Sequence, residues 1–154
     1  MPDSKPLTGK VALITGGAKR LGRAAALTLA QSGSDVAITF LRSEKQARQT
    51  LRDLEEAGVR ALAVHCDVTD PRSVRDVLRE VVGELGNIDI LVNNAANYET
   101  VSFDNLTLPQ WDAIFATITQ GAWQNYQSGI ARRGASVGRP RALLLVQSRP
   151  AHVD

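Results

Sequence analysis

The chain has one cysteine, Cys66, among its 154 residues. An internal disulfide is excluded, and a reducing, cytoplasmic compartment is the expectation. Aromatic residues make up only 5%, without the close spacing that stacks successive bases, so nucleic acid is a disfavoured partner. No apolar stretch approaches the roughly 20 residues that span a bilayer, and a membrane partner is not expected. The opening MPDSKPLTGK carries charges and prolines where a signal peptide would need an apolar run. Lysine stops at Lys45. Acidic residues nearly vanish after position 120, where five arginines (132, 133, 139, 141 and 149) face Asp154 alone. The basic character of the whole therefore belongs to its last 34 residues (121–154) and says little about the body.

That body alternates two kinds of apolar pattern. Val11–Thr15, Asp35–Phe40, Ala61–Cys66 and Ile88–Val92 are short apolar runs bounded by turn residues, which read as buried strands. Between them, Leu21 to about Ser32 is alanine- and leucine-rich and closes at Gly33, a natural left-handed cap. Ser43 and Gln46 have the spacing of a capping box ahead of Ala47, Leu51 and Leu54, with a stop at Gly58. Asp70-Pro71 supplies an N-cap and a first-turn proline before Val74, Val77, Leu78 and Val81, which share one helical face. Thr107 and Gln110 open a further helix through Trp111, Ile114, Phe115 and Ile118. Strands separated by helices of this length imply right-handed βαβ crossovers. The expected fold is α/β, a parallel sheet covered by helices on both faces. A fifth strand is left open at 142–146.

Thr15-Gly-Gly-Ala-Lys-Arg-Leu-Gly22 lies where the first strand turns into a helix. Unpaired amides at a helix N-terminus carry partial positive charge and bind phosphate oxygens. Gly16 can make the turn and Gly22 can let the helix lie close to the sheet, while Arg20 replaces the middle glycine of the dinucleotide fingerprint. The alternative is a glycine turn chosen for packing alone. After the second strand, an acidic residue would bond the ribose hydroxyl of NAD, whereas arginine accommodates the 2′-phosphate of NADP. The chain has Arg42-Ser43 there, with Lys19 and Arg20 on the neighbouring loop. NADP(H) is the expected cofactor, ahead of NAD(H).

Three motifs in order, TGGAKRLG, Asp67-Val68 and Asn93-Asn94-Ala95-Ala96, resemble the short-chain dehydrogenase/reductase family over residues 9 to about 117. The Lys-Arg loop with Arg42-Ser43 is similar to its pteridine-reductase-like and 3-oxoacyl-carrier-protein-reductase-like members, which use NADPH. The resemblance implies that Gly16, Lys19, Arg20, Leu21 and Gly22 line the pyrophosphate and adenosine ribose. It assigns Arg42 and Ser43 to the 2′-phosphate, Asp67 and Val68 to the adenine, and Asn94, Ala95 and Ala96 to the backing of the adenosine and nicotinamide ribose. It also implies a Rossmann-type, doubly wound parallel sheet in three layers, incomplete, with strand order 3-2-1-4, and carbonyl or imine reduction by hydride transfer to a small-molecule substrate. A tyrosine hydroxyl, acidified by a lysine four residues later, would neutralise the developing alkoxide.

That pair is missing from these residues. Tyr98 is followed at the fourth position by Ser102, and Tyr126 by Ile130. The family's helix asparagine is matched by Ile118. Ser148 falls roughly where a catalytic serine would end a fifth strand. The expected division is a cofactor-binding half-domain over 1–120 and a divergent basic tail over 121–154. The tail resembles an out-of-frame reading of a GC-rich gene; a diverged fifth strand at Ala142–Val146 is the other account. Impaired catalysis is expected, with a non-catalytic NADP(H)-binding or interaction protein as the alternative. Without a fifth strand the fourth would be an open edge, and self-association through that edge or a bare helix face follows.

Overall fold

The computed structural model describes residues 5–95, 107–109 and 112, together with the backbone of 142–145. Eight elements run in the order β1 (Val11–Ile14), α1 (Arg20–Gln31), β2 (Asp35–Phe40), α2 (Glu44–Glu56), β3 (Ala61–His65), α3 (Pro71–Leu85), β4 (Ile90–Asn93) and β5 (Ala142–Leu145). All strands pair in parallel, in the spatial order β3-β2-β1-β4-β5. The chain thus winds outward from β1 in one direction and then restarts on its other side.

Strand periodicity divides the core between the two faces of the sheet. Val11 and Leu13 of β1 pack with Val74, Val77, Leu78, Val81 and Leu85 of α3. Ala12 and Ile14 pack with Ala26 and Ala30 of α1 and with Ala47 and Leu54 of α2. Both faces of β1 are buried, which explains an apolar run without alternation. The expected three-layer Rossmann-type sheet is therefore present.

Local signals account for most boundaries. Asp70 caps α3 by accepting from the Arg72 amide at 2.9 Å, and Pro71 opens the helix. Gly33 and Gly58 take positive φ beyond α1 and α2. The capping box at Ser43 is not formed: Ser43 is the N-cap residue of α2, but its side chain makes no capping bond. The buried face of α2 is Ala47, Thr50 and Leu54, with Leu51 only half-buried. Asp89 holds the entrance to β4, its carboxylate accepting from the Val11 amide at 3.0 Å and its amide donating to the Val11 carbonyl at 2.9 Å.

The open edge expected at β4 is occupied. β5 pairs along it with Ile90 opposite Ala142 and Asn93 opposite Leu145, so the structure has the fifth strand that the composition of the tail did not favour. Of the helix expected from Thr107, only Leu108, Pro109 and Asp112 are described, and these are helical. Trp111, Ile114, Phe115 and Ile118 lie outside the described residues, as do Tyr98, Tyr126, Ala96 and Ser148.

Candidate functional site: a glycine loop at the strand-order reversal

Ligands of open parallel sheets bind beyond the carboxyl ends of the strands where the strand order reverses. Here that point lies between β1 and β4, and the chain leaving β1 there is the glycine loop. The strands on either side of β1 fix it. From β4, Thr15 Oγ1 accepts the amides of Asn94 and Ala95 at 3.0 and 3.1 Å. Asn94 Nδ2 returns two bonds, to the Thr15 and Gly16 carbonyls, each at 3.0 Å. From β2, Thr39 Oγ1 accepts from the Gly16 amide at 3.2 Å, and the Thr39 carbonyl accepts from the Gly17 amide at 3.0 Å.

Two glycines are required by this geometry. Gly16 has φ +65°, the left-handed region that side chains rarely adopt. A Cβ on Gly22 would lie 2.3 Å from the Gly16 carbonyl oxygen and 2.5 Å from Asn94 Nδ2, so the helix start can approach the loop only because that atom is missing. Arg20, at the place of the fingerprint's middle glycine, has φ +52°. The glycine conformation survives without the glycine, at a steric cost of roughly 1–2 kcal/mol.

The N-terminus of α1 is electrostatically bare. Its N-cap residue, Lys19, gives no side-chain bond, and no acidic residue lies in the first turn. The other two described helices differ: α2 has Glu44 in its first turn and α3 has the Asp70 cap. The positive end of the α1 dipole is thus left for an anion from outside. Lys19, Arg20, Leu21 and Arg42 are exposed, and Gly22 is buried. Among the described residues none of these three cations enters an ion pair, whereas Lys10, Arg23, Arg48, Arg60 and Arg79 each do.

At the end of β3, Asp67 Oδ1 accepts from both the amide and the hydroxyl of Thr69, at 2.9 and 2.6 Å. The Asp67 amide donates to Ser73 Oγ of α3 at 3.0 Å. The carboxylate is therefore oriented in advance. Val68 is buried against the α3 core, so its side chain is spent on packing. Cys66 is buried in the same cluster and burial pushes its thiol upward in pKa. His65 is exposed and meets Phe40 edge-on. His65 ends β3, and Cys66 follows it just outside the strand. Thr15, Thr39, Thr69 and Ser73 were not singled out from the sequence. Each is a small hydroxyl beside a strand end, which no spacing rule distinguishes from an ordinary strand or turn residue.

The family model for short chain dehydrogenase matches residues 10–135. The chain belongs to the short-chain dehydrogenase family. Among family members, the short-chain dehydrogenase/reductase homolog YusS of Bacillus subtilis (strain 168) is 38% identical over 97 residues, 63% of this chain and 89% of that protein. L-rhamnose 1-dehydrogenase (NAD(P)(+)) of Sphingomonas sp. (strain SKA58) is 33% identical over 97% of this chain and 58% of its own length. A short-chain dehydrogenase from Burkholderia cenocepacia J2315, solved in complex with NADP, superposes with a TM-score of 0.77 at 38% identity, covering 81% of this chain and 51% of that one. The chain thus spans about half the length of two of these three family members.

Proposed function

We propose that this chain is the cofactor-binding part of an NADP(H)-dependent oxidoreductase that reduces a small-molecule carbonyl or imine. The observation that carries the reading is the bare N-terminus of α1 behind a loop whose Gly22 leaves no room for a Cβ. A diphosphate fits the amides and the dipole there. Gly16, Lys19, Arg20, Leu21 and Gly22 would hold it with the adenosine ribose. Arg42 and Ser43 follow β2, and the Ser43 hydroxyl is not spent on capping α2; they would hold the 2′-phosphate. Asp67 would accept from the adenine amine through Oδ2, since Thr69 engages Oδ1, with Val68 alongside. Asn94, Ala95 and Ala96 would back the riboses. The Burkholderia relative's bound NADP supports the same choice of cofactor.

When bound, the dinucleotide supplies or accepts a hydride; the residues described here bind and orient it. These 154 residues hold no Tyr-x-x-x-Lys pair, and the alternative reading is a non-catalytic NADP(H)-binding or interaction protein. No catalytic residue is assigned, with Ser148 as a weak candidate. A lone cysteine suits a cytoplasmic setting.

Calorimetry of the intact chain with NADPH and NADH tests the binding claim. NADPH should bind more tightly, and Arg42→Ala should weaken NADPH by about tenfold or more while leaving NADH unchanged, the loss of a charge-assisted phosphate contact. No heat with either dinucleotide would refute it. NADPH oxidation with a panel of carbonyls separates the two readings: turnover supports the oxidoreductase, and tight binding without turnover supports the non-catalytic protein.

A further inference from the structure

We infer that Thr50, in the middle of α2, is a positioning residue for the phosphate-binding loop; the inference rests on the nucleotide reading of that loop. Thr50 is completely buried, and its hydroxyl donates to the Ala18 carbonyl at 2.8 Å. Ala18, itself 3% exposed, stands between the paired glycines and Lys19. With water excluded, that carbonyl depends on the hydroxyl for its hydrogen bond.

The bond does more than satisfy an acceptor. No cis peptide occurs among the described residues, and a trans peptide holds its C=O and N–H in opposite directions. Drawing the Ala18 carbonyl toward α2 turns the Lys19 amide away from α2. Thr50 thereby sets the direction of an amide that opens the helix N-terminus.

The same helix also holds α1, which continues the loop. Arg23 of α1 is paired to Asp53 of α2, and Gln49 donates to the same carboxylate at 2.9 Å. Ala47 packs with Ala18 and Ala26 in one cluster. The N-terminus of α2 begins at Arg42-Ser43, seven residues before Thr50 and about 10 Å along the helix axis. One rigid helix therefore carries the proposed 2′-phosphate grip at its end and the brace for the pyrophosphate loop at its middle. The two contacts are separable, because only the second depends on the Thr50 hydroxyl.

The test uses the intact chain, with two probes: NADPH, which presents both phosphate groups, and adenosine 2′-monophosphate, which presents only the one at the helix end. Thr50→Val keeps the shape of the side chain and removes the hydroxyl. It should weaken NADPH about fivefold, the size of one lost hydrogen bond, and leave adenosine 2′-monophosphate unchanged. Thr50→Ser should restore NADPH binding, and Thr50→Ala should behave as Thr50→Val does. The Ser and Ala pair decides the matter if the valine variant does not fold. Equal weakening of both probes would mean that Thr50 merely supports α2 and would overturn the inference, as would unchanged NADPH binding in the valine and alanine variants. Failure of the unaltered protein to bind either probe would instead bring down the nucleotide reading itself.

Discussion

At residue scale, the loop between β1 and α1 depends on atoms that are missing. Gly22→Ala places a methyl where the Gly16 carbonyl and the Asn94 amide nitrogen already stand. We expect a loss of about 1–3 kcal/mol in stability, the usual cost of overpacking, together with loss of NADPH binding; urea denaturation and calorimetry on one preparation check both. Arg20 is the opposite case. Its left-handed backbone costs roughly 1–2 kcal/mol, and a glycine there would lose about 0.5–1 kcal/mol through chain entropy. Arg20→Gly should therefore raise the stability by up to about 1 kcal/mol in denaturation while weakening NADPH. Equal weakening of NADPH by a neutral side chain of the same backbone preference, Arg20→Asn, would assign the loss to charge. Cys66 gives a simpler expectation: 4% exposed and with its thiol pushed upward by burial, it should resist a disulfide reagent at neutral pH until denaturant is added. Several of these residues were legible from sequence because glycine and arginine at a strand–helix turn have few other uses. Thr50 was not. It sits among charged neighbours on α2, and the spacing Ala47–Leu51–Leu54 suggested a different buried face.

The elements were read best where the signals were local. The limits of β2 were readable to the residue, since Gly33-Ser34 and Leu41-Arg42 close it at both ends. The start of β4 was placed two residues early, at Ile88, because the Asp89 carboxylate, which has no sequence signature as a strand opener, takes the Val11 amide there. β5 was left undecided because its warrant is its pairing with β4, 52 residues upstream (Ile90 opposite Ala142), and the flanking composition points elsewhere. At this scale the α1–α2 clamp makes a pH prediction. The hydrogen bond from Arg23, followed by that from Gln49, holds the Asp53 carboxyl below the ordinary carboxylate range. Folding favours its ionised form, so the contribution is present above about pH 4 and is lost as the pH falls through the folded-state value. Asp53→Asn should be less stable than the parent at neutral pH, and the two should converge in acid, as read by urea midpoints across that window.

Across the whole molecule, the chain matches about half of the length of the dehydrogenase from Burkholderia and the L-rhamnose enzyme, and the described sheet ends at β5 on one side and β3 on the other. We propose that the chain self-associates through the outer edge of β5 or an uncovered helix face, since parallel sheets keep stable edges only when these are paired or covered. Sedimentation over a tenfold range of concentration should show a rising average mass, and a constant monomer would refute it. No helix of the described residues is long and apolar enough to cross a membrane. The sequence conveyed a parallel sheet with crossover helices because strand and helix patterns alternate with short connections; the order of the first four strands came from the family resemblance. It did not convey what lies beyond residue 120, where neither period nor capping signals continue.

The position of β1 has a consequence for how such a chain can be divided. It is the central strand of the order, and its two neighbours are β2, the next strand along the chain, and β4, which arrives only after β3 and α3. Both lips of the crevice at its end, Thr39 on one side and Asn94 on the other, are in place by residue 95. On the proposed reading, the seat for a diphosphate is complete by that point. Coenzyme grip and reaction choice would then be consecutive along the polypeptide, so that the first could be inherited, exchanged or kept alone without the second.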